Sequence, residues 1–281
     1  MPELHARELF PATEATSTTT RSTGGVSRRT LIWMTAIPLA LLAGLTLACM
    51  LTRFDLWVTQ QFFHEGHFPY YGSALAEFLY HYGPWPGIVF GIGCLVLCGA
   101  TSLLMRLAVW RKEMLFLTLA VLIGPVILIN GTLKPGWDRP RPVSIEVFGG
   151  RHQYVPPGVI GGYEKGRSFP SGHASMGYVF LLPAFLLLRK YPQAAATVFA
   201  VGFLLGAGIG LSRVAEGRHF LSDIVWSGAI VYFTGLALYV AMRLDRGSDA
   251  EHPGAPAATV PFARGGQVPA NSDQARSNSA A

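Results

Sequence analysis

Three short clusters in this chain hold the residue types that phosphoryl chemistry needs. The first runs from Lys134 to Pro142 and carries Lys134, Arg139 and the pair Arg141-Pro142. The second is Pro170, Ser171, Gly172 and His173. The third sets Ser212 and Arg213 ahead of His219 and Asp223. Lys134, Arg141 and Arg213 are fixed cations, and the arginine fork matches phosphate oxygens in a bidentate manner. Ser171 and Gly172 stand where a helix should open, so unpaired N–H groups and the helix dipole favour an anion there. Gly172 lets the backbone approach a ligand closely. Together these residues make a phosphate cradle that needs no divalent ion, and no metal or other cofactor is expected. His219 and Asp223, at i and i+4, share one helix face. A carboxylate in that place takes the Nδ1 proton of His219 and leaves Nε2 as an oriented nucleophile. His173 is the second imidazole, able to protonate a leaving alkoxide.

Such residues work only if the chain brings them together, and its composition says how. Of 281 residues, 51% are hydrophobic and only 14% charged, against about 25% charged in soluble domains. Mean hydropathy is +0.36. Six stretches contain no Asp, Glu, Lys or Arg: 31–51, 84–105, 114–133, 171–188, 191–212 and 224–242. Each has about the 17 to 25 residues a helix needs to cross a bilayer. The expected fold is all-α, a polytopic membrane protein with six transmembrane helices over 30–243. Disordered cytoplasmic tails are expected at 1–29 and 244–281, which have nothing to bury. Arg21, Arg28, Arg29, the loop 106–112, Arg189, Lys190, Arg243 and Arg246 all fall on one side of such a bundle. The first loop across the membrane, 53–83, has Arg53 alone. The positive-inside rule therefore makes both tails cytoplasmic. The three clusters then meet at the outer membrane face, at the ends of spans three to six. The outer loops carry further Lys and Arg against that rule, which phosphate binding explains.

Other features read as structure. A net charge of +6 and a pI near 9.4 do not make a nucleic-acid protein, because tails and loops share the basic residues without a basic and aromatic surface. Cys49, Cys94 and Cys98 lie inside apolar stretches and read as small buried hydrophobes, not as zinc or disulfide ligands. Gly202, Gly206 and Gly210 recur at small-xxx-small spacing, which predicts close helix packing. Phe54, Trp57, Phe62 and Phe63 predict a helix lying in the headgroup region. Arg139 and Arg218 stand beside the clusters with no assigned role.

The three clusters resemble the signature motifs of the type 2 phosphatidic acid phosphatase family, which shares its site with vanadium-dependent haloperoxidases. Every signature position is filled here: Lys134, Arg141, Pro142; Pro170, Ser171, Gly172, His173; Ser212, Arg213, His219, Asp223. The resemblance spans about 31–242. It implies a membrane lipid phosphatase in which His219 forms a phosphohistidine, Asp223 orients it and His173 protonates the leaving group. It also implies six helices with the site facing outward, which agrees with the charge-derived topology and with a bacterial inner membrane and a periplasmic site. The long loop 143–169 reads as a substrate lid. Its run from Glu146 to Gly150 is similar to bacterial members that act on lipid A phosphates or related glycolipids. Undecaprenyl pyrophosphate, phosphatidylglycerophosphate and phosphatidate stay open as substrates, and the acceptor can be a second lipid instead of water. A transporter of anionic lipids is the rival from another class. Transporters usually hold their site near the midplane between repeats, whereas these clusters share one face and no repeat is present.

Overall fold

The computed structural model describes residues 25–162 and 166–246. Helix α1 (Arg28–Thr52) opens on Ser27, whose hydroxyl accepts the Thr30 N–H at 3.0 Å. Arg53, in the left-handed region at φ 55°, turns the chain into α2 (Phe54–Gln60), the helix expected from the loop aromatics. Helix α3 (Ala74–Tyr82) runs almost directly into α4 (Trp85–Leu103). A 3₁₀ turn, Met105–Trp110, leads to α5 (Arg111–Val121). From there the helix widens into a π-type segment, Leu122–Leu133, before the short α6 (Lys134–Trp137). Pro125 lies in the widened stretch and has no N–H to give the regular ladder. The Asn130 side chain meets the Pro125 carbonyl at 2.7 Å, and Thr132 bonds the Leu128 carbonyl at 2.7 Å. Helices α7 (Gly172–Tyr178) and α8 (Pro183–Leu187) are joined by a 3₁₀ turn, Val179–Leu181. Helices α9 (Pro192–Ala215) and α10 (Leu221–Ala241) are the last among the described residues. No strand occurs among the described residues, only isolated bridges at His64–His67 and Ile145–His152.

Among the described residues, five helical runs are long and apolar enough to cross a membrane: Arg28–Thr52, Ala74–Leu103, Met105–Ser144, Pro192–Ala215 and Leu221–Ala241. The expected span at 171–188 is a shorter apolar run, Gly172–Leu187, interrupted by its 3₁₀ turn. Large hydrophobic side chains cover the outside of the bundle, with Leu41 70% exposed and Leu103 84%. A water-facing protein does not present a contiguous apolar surface of that extent. Such a surface suits helices that are long and apolar enough to cross a membrane.

Inside, α7 and α8 are largely buried, and the glycine seam explains how closely α9 meets them. A Cβ on Gly202 would strike the backbone of Phe180 and Leu181, and one on Gly206 would strike the Tyr178 ring. Gly177 of α7 lies against the Gly206 backbone, and Gly210 against Ile224 of α10. The packing expected of these glycines is present, and it fixes the second motif against the third. Cys49 and Cys94 are buried, Cys98 is half-buried, and all three are free thiols.

At one end of the bundle the Val26 N–H bonds the Asp245 carbonyl at 2.7 Å, so the first and last described helices share a face there. The expected tails fall mostly outside the described residues, although Arg28 and Arg29 already belong to α1. The loop 143–169 is more structured than the sequence suggested. Two 3₁₀ turns, Pro142–Ser144 and Glu146–Phe148, bury Ile145 and Phe148 against Phe68 and Phe220 in a small second core.

Candidate active site

All three clusters assemble around the junction of α6, α7, α9 and α10. His219 sits in the turn between α9 and α10, 3% exposed. Gly217, at φ 65°, makes that turn, and a Cβ there would enter the Phe68 ring. Asp223 occupies the third position of α10, where its Oδ2 accepts the Phe220 N–H at 2.8 Å and caps the helix. The same carboxylate accepts the Ser168 hydroxyl at 2.6 Å and the Arg139 guanidinium at 2.5 Å.

The sequence placed the Nδ1 proton of His219 on Asp223. The structure gives it a nearer partner. Nδ1 lies 2.6 Å from the Ser168 main-chain carbonyl and 3.5 Å from Asp223 Oδ2. A carbonyl oxygen can only accept, so Nδ1 carries the hydrogen and Nε2 keeps its lone pair. Asp223 stands beside the ring as a negative charge and holds the Ser168 hydroxyl. Burial pushes the His219 imidazole from its ordinary 6.5 down to about 4, against the opposing pull of Asp223. At neutral pH the ring is an uncharged base.

His173 opens α7 on the other side and is half-buried. Its Nε2 lies 3.2 Å from the Tyr80 carbonyl, and its ring stacks on the Tyr80 ring with centroids 5.0 Å apart. Arg213 lies over the same Tyr80 ring, with its guanidinium carbon 4.7 Å from the centroid. Helix α3 thus roofs the site through Tyr80, a residue without any motif signal. Arg213, 3% exposed, also bonds Glu216 at 2.5 Å and keeps a buried Nε without a partner. Burial raises the Glu216 carboxyl, with Arg213 pulling the other way.

The structure brings the cations toward the same junction. Lys134 shares a polar cavity of about 260 Å³ with Asn130, Pro135 and Arg167. His173 lies within electrostatic range of Arg213, His219 and Lys134, and His219 within range of Lys134 and Arg141. Arg218 sits over the Tyr71 ring at 4.3 Å and within range of Arg141. Two cradle residues have other duties. The Ser171 N–H bonds the Asp223 carbonyl at 3.2 Å, and its hydroxyl caps α7 through the Ala174 N–H at 3.4 Å. The N–H groups after it begin the helix and meet no intrahelical carbonyl. Gly172 is required by Asn130, whose Oδ1 a Cβ would strike.

Arg139 does not face the cradle. It is fully buried behind Asp223, bonded also to Ser222, to the Val155 carbonyl and to Asp55 of α2. Sequence reasoning missed Asp55, Ser168, Tyr80 and Glu216. A lone acid in an aromatic helix was the only available sign of Asp55, since buried carboxylates are almost always paired. Among the described residues, no three His, Cys, Asp or Glu side chains converge as a metal site.

The chain shares this region with known proteins. It is 38% identical over 134 residues to a lipid A 4'-phosphatase of Francisella tularensis subsp. novicida (strain U112), covering 47% of this chain and 60% of that one. It is 38% identical over 120 residues to a lipid A 4'-phosphatase of Rhizobium leguminosarum, covering 41% of this chain and 50% of that one. It is 26% identical over 150 residues to phosphatidylglycerophosphatase B of Bacillus subtilis (strain 168), covering 48% and 67%. The chain therefore spans about half the length of the lipid A phosphatases it matches. No solved structure matches it. Every signature residue lies within residues 113–246, the stretch that matches the model of the PAP2 superfamily.

Proposed function

We propose that the chain is an integral-membrane phosphatase that removes a phosphate from a phosphorylated lipid through a phosphohistidine on His219. One observation carries this reading. A neutral His219 has Nδ1 held by the Ser168 carbonyl and Nε2 left with its lone pair, and Lys134 and Arg141 lie within electrostatic range of the ring. In the first step the Nε2 lone pair attacks phosphorus and the bond from phosphorus to the lipid oxygen breaks. The leaving oxygen takes a proton from His173, with that oxygen replacing the Tyr80 carbonyl at Nε2. In the second step water attacks phosphorus, its proton passes to His173, and the electrons of the P–N bond return to His219. The cations stabilise the charge on the transferring group throughout.

Lipid A or a related phosphorylated glycolipid is the substrate we favour, because two of the relatives are named for lipid A. Phosphatidylglycerophosphate and undecaprenyl pyrophosphate are the alternatives, and a second lipid is the alternative acceptor. The site faces the periplasm of a bacterial inner membrane in this reading. The meeting of Val26 and Asp245 at one end supports an even number of crossings. Gly172–Leu187 then serves as a sixth, sheltered crossing of about 24 Å. The test is purified full-length protein against these lipids in the presence of chelator, measuring free phosphate and any phosphorylated lipid product. Release of phosphate from the glycolipid ahead of the others supports the assignment. Turnover that disappears in chelator and returns only with a divalent ion overturns the mechanism.

A further inference from the structure

Behind the nucleophile lies a group of buried charges that the reaction as written does not use. Asp55, Arg139 and Asp223 are each 0% exposed. The Arg139 guanidinium gives Nη1 to Asp223 and Ser222, Nη2 to Asp55 at 2.9 Å, and Nε to the Val155 carbonyl at 2.8 Å. Asp55 also accepts the Ser222 N–H at 2.9 Å and the Ser222 hydroxyl. The Phe220 ring covers the guanidinium, with its centroid 4.4 Å from the central carbon. Asp55 comes from α2, far from the three motifs in sequence and outside the matched domain. Buried ions are tolerated when paired, and taking away one partner leaves the other uncompensated.

The charges do not cancel. Two carboxylates face one guanidinium, which leaves one unit of negative charge beside His219. In the free enzyme that surplus is felt by Lys134, within electrostatic range of Asp223, and not balanced by the His219 ring, which is neutral. Once Nε2 bonds phosphorus while Nδ1 keeps its hydrogen, the ring carries a positive charge. We infer that Asp55 is a positioning residue for this step: by engaging Arg139 it preserves, through Asp223, the buried negative charge that the cationic phosphohistidine requires. Without Asp55, Arg139 and Asp223 neutralise one another, and the cation forms in a buried place with no counter-charge. The inference rests on His219 as the nucleophile.

The experiment follows phosphohistidine formation from nitrophenyl phosphate against pH in the full chain and in Asp55→Asn. Formation should slow by about tenfold to a hundredfold, taking as guide the loss on removing an outer partner of a metal-bound histidine. KM should stay unchanged, because the phosphate cradle is intact. The acid limb of the rate should move to lower pH by about one unit, since losing a nearby opposite charge makes the ring harder to protonate. Adding Arg139→Gln to Asp55→Asn restores the surplus through Asp223 alone, so the double variant should return toward the parent limb. An Asp55→Asn enzyme with parent rate and limb overturns the inference. So does one that slows with an unmoved limb and gains nothing from Arg139→Gln, which is the mark of a merely structural role. If Asp55→Asn fails to fold, the double variant decides, with a parent-like limb in favour and a displaced limb against. A parent enzyme that forms no phosphohistidine overturns the reading of His219 itself, whereas a parent that forms it beside an unaffected Asp55→Asn overturns only the role of Asp55.

Discussion

The two histidines face one site from very different surroundings. His219 is 3% exposed, holds a carbonyl at 2.6 Å, and stands beside a carboxylate that itself accepts from Ser168, Phe220 and Arg139. His173 is half-buried, with one longer bond to a carbonyl and one stacking contact, both from the exposed Tyr80. The difference follows from what each ring meets. A nucleophile meets the same atom, phosphorus, in both steps, so it gains from being over-determined. A proton donor meets first a lipid oxygen and then water, so it gains from a partner that can be displaced. The rigid half is built from helix caps and a loop locked to α10, the yielding half from the short helix α3.

The sharpest way to break this comparison is to remove each ring in turn. His219→Ala should abolish phosphohistidine trapping with every substrate and reduce phosphate release to background. His173→Ala should lose about 10² to 10⁴ in rate on a lipid phosphate, the range for general acid catalysis. It should lose much less on nitrophenyl phosphate, whose leaving group departs without a proton, and it should still trap phosphohistidine. The reverse pattern in a trapping assay would exchange the two roles. Ser168→Ala tests the rigid half more gently. It deletes the hydroxyl on Asp223 but leaves the carbonyl on His219, so the thermal midpoint should fall by the equivalent of about 1.5 to 3 kcal/mol, as for a hydrogen bond to a charged group. Trapping should persist. The smallest effect is in pH. Because His219 must be neutral to attack, the acid limb of phosphohistidine formation should lie near pH 4 instead of the 6.5 of a free imidazole. The same depression means the unfolded chain binds a proton between pH 6.5 and 4 that the native chain refuses. Stability from this group is full above 6.5 and should decline as pH falls through that window, readable as a drop in thermal midpoint from pH 7.5 to pH 5.

Much of this was legible because the motifs are local. Lys134, Arg141, His173, Arg213, His219 and Asp223 each stand in a short pattern, and apolar length brings the patterns to one end of a bundle. Gly202, Gly206 and Gly210 declared their packing by spacing alone, and the structure sets them against Leu181, Tyr178 and Ile224. What stayed hidden depends on contacts between distant segments. Asp55 reaches Arg139 and Ser222 across most of the domain, and nothing near Asp55 in sequence announces either partner. Tyr80 acts through a carbonyl and a ring face, which no spacing rule reads. The loop 143–169 read as a lid without secondary structure of its own, and its packing stayed hidden because Ile145 and Phe148 find their core in Phe68 and Phe220. The span at 171–188 was expected as one regular helix, and its 3₁₀ turn at Val179–Leu181 shortens the α-helical runs.

The bond from His219 Nδ1 to the Ser168 carbonyl has a consequence for how this protein can be studied and how it can change. The acceptor is main chain, so no substitution at position 168 deletes it, and a mutational scan of side chains passes over it in silence. Its integrity depends instead on the path of the loop that enters α7. Drift in that loop, by insertion or by a residue of the wrong shape near Gly166, where a Cβ would meet the Asp138 and Arg139 backbone, would rotate the imidazole without touching any motif. Descendants of this sequence can therefore keep every signature residue and still fall silent as enzymes.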